Sequence, residues 1–589
     1  MTLAEFDTLV HSDAYRDAAV RVVRQLLEAL LFEERLPLAR REGDTLTIAA
    51  TDAHGEPVAY HCRVLRSASF ARLRIVSPVL RRAGGGEAPA TDVAGVVAEL
   101  AGQLAAEPAR LAQFAAELLA THVKDAQTRL ARQGRLLRGK DYDEVEAGLT
   151  GAHPYHPGYK SRLGFTLADN QRYAPECSTG VAPLLIAARR DVCRWAAGRA
   201  VAGRDPRNLL APAERAAFEV RLTALGLDPD DYLPLPMHPW QWETIAEAGC
   251  HAACARRELV PVGPLQDRYR PQQSIRTLAN VDRPRAPSIK LAMNLVNTST
   301  SRVLAPHTVR NAAPLSDWLD QLVADTAWPA PLARPVILKE TAGVGYVPGA
   351  PVAGQYGAFA CIWRDSIHAH RRDDEQALPV TALPHLDADG RLLVADAVAR
   401  HGVQAWVRRL IERAWLPVLH LLWLHGTALE SHAQNMVLLL VDGLPERVAL
   451  KDFHDGVRYS RRWLSTPPPA LDAPPAEHAS VNPNSFIETD DADELRDFTC
   501  DALLFVNLAE IAWAFARHLG FDEAAFWAIA ADTIREHQAR HPELAERFAL
   551  FDCFAPTLQI ELLASRRFLP EIRLRARAAP NPLAQVVRV

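Results

Sequence analysis

The densest chemistry in the chain lies in HGTALESHAQN (425–435) and the run behind it, MVLLLVDGLPERVALKDFHDG. Met436–Val441 reads as an apolar strand, Asp442–Pro445 as a turn and Arg447–Leu450 as the return strand of a hairpin. A hairpin brings its outer ends together, so Gln434 and Asn435 are expected near Lys451, Asp452 and His454. An amide and a carboxylate oxygen juxtaposed in this way suit a Mg2+ that carries nucleotide phosphates. Glu430 and His432 lie just upstream and point at the same corner. The plainer alternative is a capped helix followed by a surface hairpin.

Two further segments concentrate cations. QSIRTLAN (273–280), Ser288-Ile289-Lys290-Leu291 and the hydroxyl run Thr298–Arg302 supply Ser274, Arg276, Thr277, Lys290 and Arg302. Hydroxyls and cations of this kind bind a triphosphate without a glycine cradle; alternatively Lys290 snorkels from a strand edge and Arg302 pairs with an acid. In GAHPYHPGYKSRLGFTLADN (151–170), two His-Pro pairs precede Lys160 and Arg162. Proline restricts its own φ and extends the residue before it, so the loop can hold His153, His156, Lys160 and Arg162 rigidly for a carboxylate or phosphate. A solvated basic loop is the other reading. The basic pair in LLASRRF, beginning at Leu562, is weak alone. No G-x-x-x-x-G-K-[ST], no G-x-G-x-x-G after a strand and no G-x-S-x-G occurs. TAGVGYVPGA (341–350) is a weak loop candidate, and the Trp240/Trp242 pair reads as core and turn beside His238-Pro239, which could present an imidazole.

The elements that must position these groups are legible in outline. Residues 12–34 carry helical apolar spacing with Ser12 or Asp13 as N-cap. Strands are expected at Thr45–Ala50, Val58–Leu65 and Ala71–Val76, a loop at Arg82–Ala90, and two helices from Thr91 to about Leu137. Pro, Asp and Gly cluster near 375–400 and suggest a boundary. Ser465–Asn484 is proline-rich and reads as a surface loop, and the basic tail Pro570–Val589 reads as loosely packed. The mixture without regular βαβ units favours α+β.

Composition excludes several classes. The 589 residues (64.8 kDa) are 49% apolar and 23% charged, with net charge −5, so collagen, coiled coil and wholesale disorder are out and no nucleic-acid partner is expected. The apolar stretch Trp415–Leu424 is too short for a bilayer span of ~20 residues, so no membrane partner is expected. The acidic N-terminus lacks a basic n-region, and eight scattered Cys form no C-x-x-C pair, which points to reduced thiols in a cytoplasmic protein.

Taken together, HPYHPGYKSRLGF (153–165), HPWQ (238–241), Ser274–Thr277, Lys290, Arg302, HGTALESHAQN and KDFHDG (451–456) resemble the aerobactin-synthetase-like siderophore synthetases, which work without a peptide-synthetase template. The resemblance spans about 150 to 570 and implies an α+β cupped hand. Its regions would be a thumb (1–145), fingers (146–395) and a palm (396–589), and a homodimer is expected. It also implies an ATP-dependent ligase. A carboxylate of citrate or a citrate-derived polycarboxylate attacks the α-phosphate, pyrophosphate leaves, and an amine or hydroxyl displaces AMP. By resemblance, Ser274, Arg276, Thr277 and Lys290 would hold phosphates; Gln434, Asn435 and Asp452 would hold the nucleotide and Mg2+, with Glu430 nearby. Arg302 and His432, with Lys290, would form the catalytic set, and His153, His156, Lys160 and Arg162 would add to the carboxylate site. Two departures stand out: APECSTG (174–180) lacks the aromatic usual after its Glu, and Ser565-Arg566-Arg567 replaces the usual Lys before a Met-Arg pair. The C-terminal half is also related to a ferric-reductase-like family, but that family's clustered Cys ligands are missing. Two rival functions are a phosphotransferase with an Asn/Asp Mg site and a non-catalytic citrate- or siderophore-binding protein.

Overall fold

The computed structural model describes residues 1–586 except 152, 299, 350, 351, 353, 477, 479–481, 483, 484, 486, 571, 573 and 574. Ser299 of the hydroxyl run and parts of the 465–484 and 570–589 stretches therefore lie outside the described residues.

The helical spacing near the N-terminus becomes the helix Asp13–Phe32, capped by Ser12, whose side chain accepts from the Tyr15 N–H. Its apolar face (Val22, Val23, Leu26, Leu30) meets the helices Val93–Leu104 and Pro108–Arg132 and an antiparallel sheet. That sheet runs in the order Ala39–Glu42, Thr45–Thr51, Pro57–Arg66, Leu80–Ala83, Gly86–Pro89, with Leu73–Ile75 paired to Pro57–Arg66. The expected loop at Arg82–Ala90 is instead part of a hairpin: Gly84 and Gly85 both adopt positive φ (54° and 80°), which turns the chain back in two residues.

Two further sheets carry the middle of the chain. Leu259–Pro264, Leu184–Arg189 and Tyr232–Met237 form one. The other is antiparallel and six-stranded, in the order Tyr269–Pro271, Thr277–Asn280, Ser288–Leu291, Ala360–Arg364, Glu340–Tyr346, Cys193–Ala197. Every residue of Glu340–Tyr346 is buried, so the TAGVGY stretch is a core strand and not a phosphate loop. The helix Pro306–Asp325 packs across this sheet. A four-stranded sheet follows, Val336–Ile337, Leu444–Leu450, Met436–Val441, Gln376–Pro379, with helices around it. Helices and predominantly antiparallel sheets make the fold α+β, as the sequence predicts.

One apolar cluster runs without interruption from Val22 and Leu26 through Trp318, Trp406 and Leu438 to Phe505, Trp527 and Leu583. A second fills the middle region between Phe165 and Trp363. Ala492–Leu519 is the one helix, among the described residues, long and apolar enough to cross a bilayer. Its apolar window is 78% buried inside the protein, which makes it a core helix. The tail departs from expectation: Ala576–Pro580 pairs in antiparallel register with Thr557–Glu561, and Leu583 behind it is fully buried. Alternation within a short basic segment carried too little apolar signal to reveal that strand.

Candidate active site

The hairpin forms as its sequence demands. Met436 pairs with Leu450 and Val441 with Leu444, and Asp442 and Gly443 turn with positive φ (49° and 76°), so the return strand begins earlier than expected, at Leu444. Its outer ends meet: the Lys451 N–H donates to the Asn435 carbonyl at 3.1 Å. Asn435 directs its amide nitrogen to the Glu430 carbonyl at 2.9 Å, which fixes the amide's orientation. Just past the hairpin, Asp452 adopts a left-handed backbone (φ 65°), a strained conformation that a non-glycine residue holds only where its surroundings enforce it.

Those surroundings are one face of the six-stranded sheet. Thr277 stands opposite Lys290, Ser288 opposite Arg364, and Arg364 opposite Glu340, so side chains from four strands share that face. Lys290 Nζ lies 3.0 Å and Arg364 Nη1 2.7 Å from Asp452 Oδ1. Burial disfavours the Asp452 carboxylate, but Lys290 and Arg364 outweigh it and hold the acid well below the usual carboxylate range. His454 Nδ1 lies 2.6 Å from Glu340 Oε1, and Arg364 Nη2 donates to Gln272 Oε1 at 2.7 Å.

Above this floor lies a cavity of about 660 Å3. Ser274, Arg276, Lys290, Arg302, Asn435 and Asp452 line it, and so do Glu430, His432 and Gln434. Arg276 donates to the carbonyls of Arg302 (3.0 Å) and Val303 (2.8 Å). Arg302 donates to the Asn297 carbonyl at 2.9 Å and the Thr298 hydroxyl at 3.1 Å, while its Nε has no partner among the described residues. Burial, and then Arg276, lower the Arg302 guanidinium to about 10, so it remains cationic at neutral pH. Burial lowers His432 to about 4 against the pull of Asp452, and lowers His153 to about 3 with help from His432; both imidazoles are neutral.

The basic loop is only partly a ligand surface. His153 and His156 line the cavity; His153 Nδ1 accepts from the Tyr155 and His156 N–H groups, His156 Nδ1 accepts from the Gly158 N–H, and His156 Nε2 is buried without a partner among the described residues. Lys160, expected among the carboxylate ligands, is 0% exposed and does not line the cavity. It is bound to Asp125 (2.9 Å), Thr128 (2.8 Å) and Glu176 (3.2 Å). Arg162 lines the cavity, but its guanidinium is engaged by Asn170 and by both oxygens of Glu176 at 2.9 Å. These two cations hold the loop to the helix Pro108–Arg132 and to the APECSTG segment. His238 is buried as the N-cap of a short helix, accepting from the Trp240 N–H, and is not a cavity residue.

Sequence reasoning missed three features. Arg364 and Glu340, which fix Asp452 and His454, carry the same signal as Lys290: a charge inside an otherwise apolar strand. The third is an acidic wall. Asp497, Asp501 and Glu561 line the cavity alongside Glu430. Burial and then Glu561 push Asp501 well above the carboxylate range, and burial raises Glu430 to about 7 although Arg458 opposes it. Carboxylates that raise one another in this way favour a cationic occupant.

Known proteins resemble this chain over nearly its whole length. The model of the IucA / IucC family matches residues 141–385, and that of the ferric iron reductase FhuF-like transporter matches residues 404–578. A Bacillus anthracis protein named citryl-spermidine/3,4-dihydroxybenzoyl-citryl-spermidine:spermidine ligase is 33% identical over 98% of this chain and 94% of its own length. The crystal structure of the petrobactin biosynthesis protein AsbB from Bacillus anthracis superposes with a TM-score of 0.90 at 31% identity, covering 100% of this chain and 98% of that one. The structure of the aerobactin synthetase IucC from Klebsiella pneumoniae superposes with a TM-score of 0.80 at 25% identity, covering 98% of this chain and 99% of that one.

Proposed function

The chain belongs to the IucA / IucC family of siderophore synthetases, and from that premise we propose that it is an ATP-dependent ligase joining a citrate-type polycarboxylate to an amine. A carboxylate oxygen attacks the α-phosphorus, the bond to the bridging oxygen breaks, and its electron pair leaves with pyrophosphate. The amine then attacks the acyl adenylate, AMP departs, and the amine gives up a proton. The observation that carries this reading is the polarity of the one cavity, cationic at Arg276, Lys290 and Arg302 and acidic at Asp501, Glu561 and Glu430. An anionic acid and a cationic amine can share such a space without neutralising the groups that bind them.

Adenylation spreads negative charge over phosphorus while two anions meet, and fixed cations in a desolvated site lower that barrier. Ser274, Arg276 and Lys290 hold the triphosphate, and Arg302 and His432 hold the attacking carboxylate; Thr277, expected with the first group, is 0% exposed and does not line the cavity, so it supports the strand behind Lys290. Glu430, raised to about 7, is suited to accept the proton of the incoming ammonium. Asn435 uses its nitrogen on Glu430 and Asp452 uses Oδ1 on Lys290 and Arg364. Asn435 Oδ1 and Asp452 Oδ2 are therefore the oxygens that would hold a Mg2+. When bound, that ion supplies charge neutralisation at the phosphates.

The test is product analysis with citrate, ATP and a polyamine such as spermidine. AMP and pyrophosphate are expected in equal amounts; ADP would establish a phosphotransferase instead. Arg302→Ala is expected to keep its melting temperature and lose about 10²–10³ in pyrophosphate release. Normal turnover in that variant would remove Arg302 from the site.

A further inference from the structure

The helix Pro306–Asp325 begins at the same cavity, where Ala305 and Thr308 form part of the wall. Its 20 residues start without a side-chain cap: Ala305 at the N-cap position has no oxygen to offer, and proline follows it. The N–H groups of the first turn thus have no intrahelical acceptor, and the helix dipole presents its positive end there. Two imidazoles stand at this end. His307 is 7% exposed, does not itself line the cavity, and neither of its ring nitrogens has a partner among the described residues. His478 is 5% exposed, lines the cavity, and its Nε2 is likewise unpartnered. The rings meet edge to face with centroids 4.5 Å apart. The segment bearing His478 is fastened to the helix: Asn311 exchanges two hydrogen bonds with the Asp472 backbone (2.9 and 2.8 Å), and Arg310 pairs with Asp472 at 2.9 Å. Tyr356 Oη lies 3.2 Å from His478 Nδ1.

A neutral imidazole carries one N–H, and a buried N–H without a partner is unfavourable, so the arrangement favours a ligand that offers acceptors. Burial lowers His307 to about 4, with His478 adding to the shift, so the ring is neutral and donates one N–H. Asp455 and Asp472 are the opposing charges nearby; Ser485 Oγ donates to Asp455 at 3.0 Å and His454 Nε2 lies 3.6 Å from it, while Arg310 pairs with Asp472. Arg276, already assigned to the triphosphate, reaches the Val303 carbonyl three residues before the helix. A phosphate chain anchored at Arg276 therefore leads to the first turn.

We propose that the first turn of the helix Pro306–Asp325, with Thr308 and His478 facing the cavity and His307 positioning His478 from behind, is a phosphate subsite. It takes the terminal phosphate of the nucleotide and retains pyrophosphate after the α–β bond breaks. This rests on the adenylation reading for its role in turnover, but the subsite is measurable without nucleotide. Isothermal titration of the full-length protein with inorganic pyrophosphate, and separately with citrate, tests it. The intact protein is expected to bind pyrophosphate. His478→Ala and His307→Gln are each expected to weaken that binding by about 10-fold and leave citrate affinity unchanged. If His307→Gln lowers the melting temperature, His478→Ala alone decides. Pyrophosphate binding that is absent, or unaltered by the substitutions, overturns the subsite, and so does a loss of citrate affinity in place of pyrophosphate affinity. A failure of the ligase reading would show separately, as missing AMP in the product assay, with the histidine-dependent pyrophosphate binding intact.

Discussion

Glu430 illustrates how its surroundings set the charge of a single side chain. Its carboxyl is raised to about 7 by burial and by neighbouring acids, with Arg458 opposing. A folded-state pKa above the unfolded one means that the protonated form is favoured on folding. The stabilisation is complete below the unfolded value of about 4.5 and is lost as pH rises through 7. Glu430→Gln, which mimics the protonated acid, is therefore expected to match the native melting temperature near pH 5 and exceed it at pH 8. Equal melting temperatures at both pH values would show that the carboxyl is not held neutral. At this scale, Lys290, Arg302, Asn435 and Asp452 were legible because polar side chains next to apolar runs have few reasons to be there. Lys160 and Arg162 carried the same signal but are engaged by buried acids, and of the two only Arg162 lines the cavity. Asp125 is 35 residues away from Lys160, and nothing in the local sequence shows that it supplies the counter-charge.

The hairpin Met436–Leu450 and the turn behind it set where Asp452 points. Within that turn Gly456 has no room for a side chain: a Cβ would lie 2.6 Å from the Asp452 carbonyl oxygen. The Gly456 carbonyl also accepts from the Glu430 N–H at 2.9 Å, so one residue ties both ends of the site. Gly456→Ala must shift the Asp452–Gly456 backbone, at a cost of about 1–3 kcal/mol in stability. It is expected to weaken binding of a non-hydrolysable ATP analogue, measured calorimetrically, by at least 10-fold; native affinity would show that the turn does not position Asp452. Elements with strong local signatures were read correctly, the hairpin and the N-terminal helix among them. The second strand of the Leu80–Pro89 hairpin and the strand Ala576–Pro580 were missed, because each is stabilised by pairing and lacks an alternating apolar pattern.

At the scale of the whole chain, the N-terminal helices and sheet are not an independent module. Phe32 and Phe70 pack on Phe505 with ring centroids 4.8 and 5.2 Å apart. Arg72 and Arg74 are buried against Glu510, with Arg74 Nη2 at 2.9 Å. Burial disfavours the Glu510 carboxylate, yet Arg74 and Arg72 hold it down to about 2. Glu510→Ala leaves the buried Arg72 without its acid and Arg74 with only Glu28, 3.8 Å away, and is expected to destabilise the protein by about 3–5 kcal/mol in chemical denaturation. A change below 1 kcal/mol would show that the two regions are not coupled there. The sequence by itself determined the kinds of groups present, their order and the local elements that carry them, because periodicity, turn chemistry and misplaced charges act over a few residues. Only the tertiary structure decided which cations are free for a ligand, that an acidic wall faces them, and that two imidazoles meet at a helix start. Each of those depends on a counter-charge or neighbour far away in the chain, brought near by burial of apolar surface that local patterns do not specify.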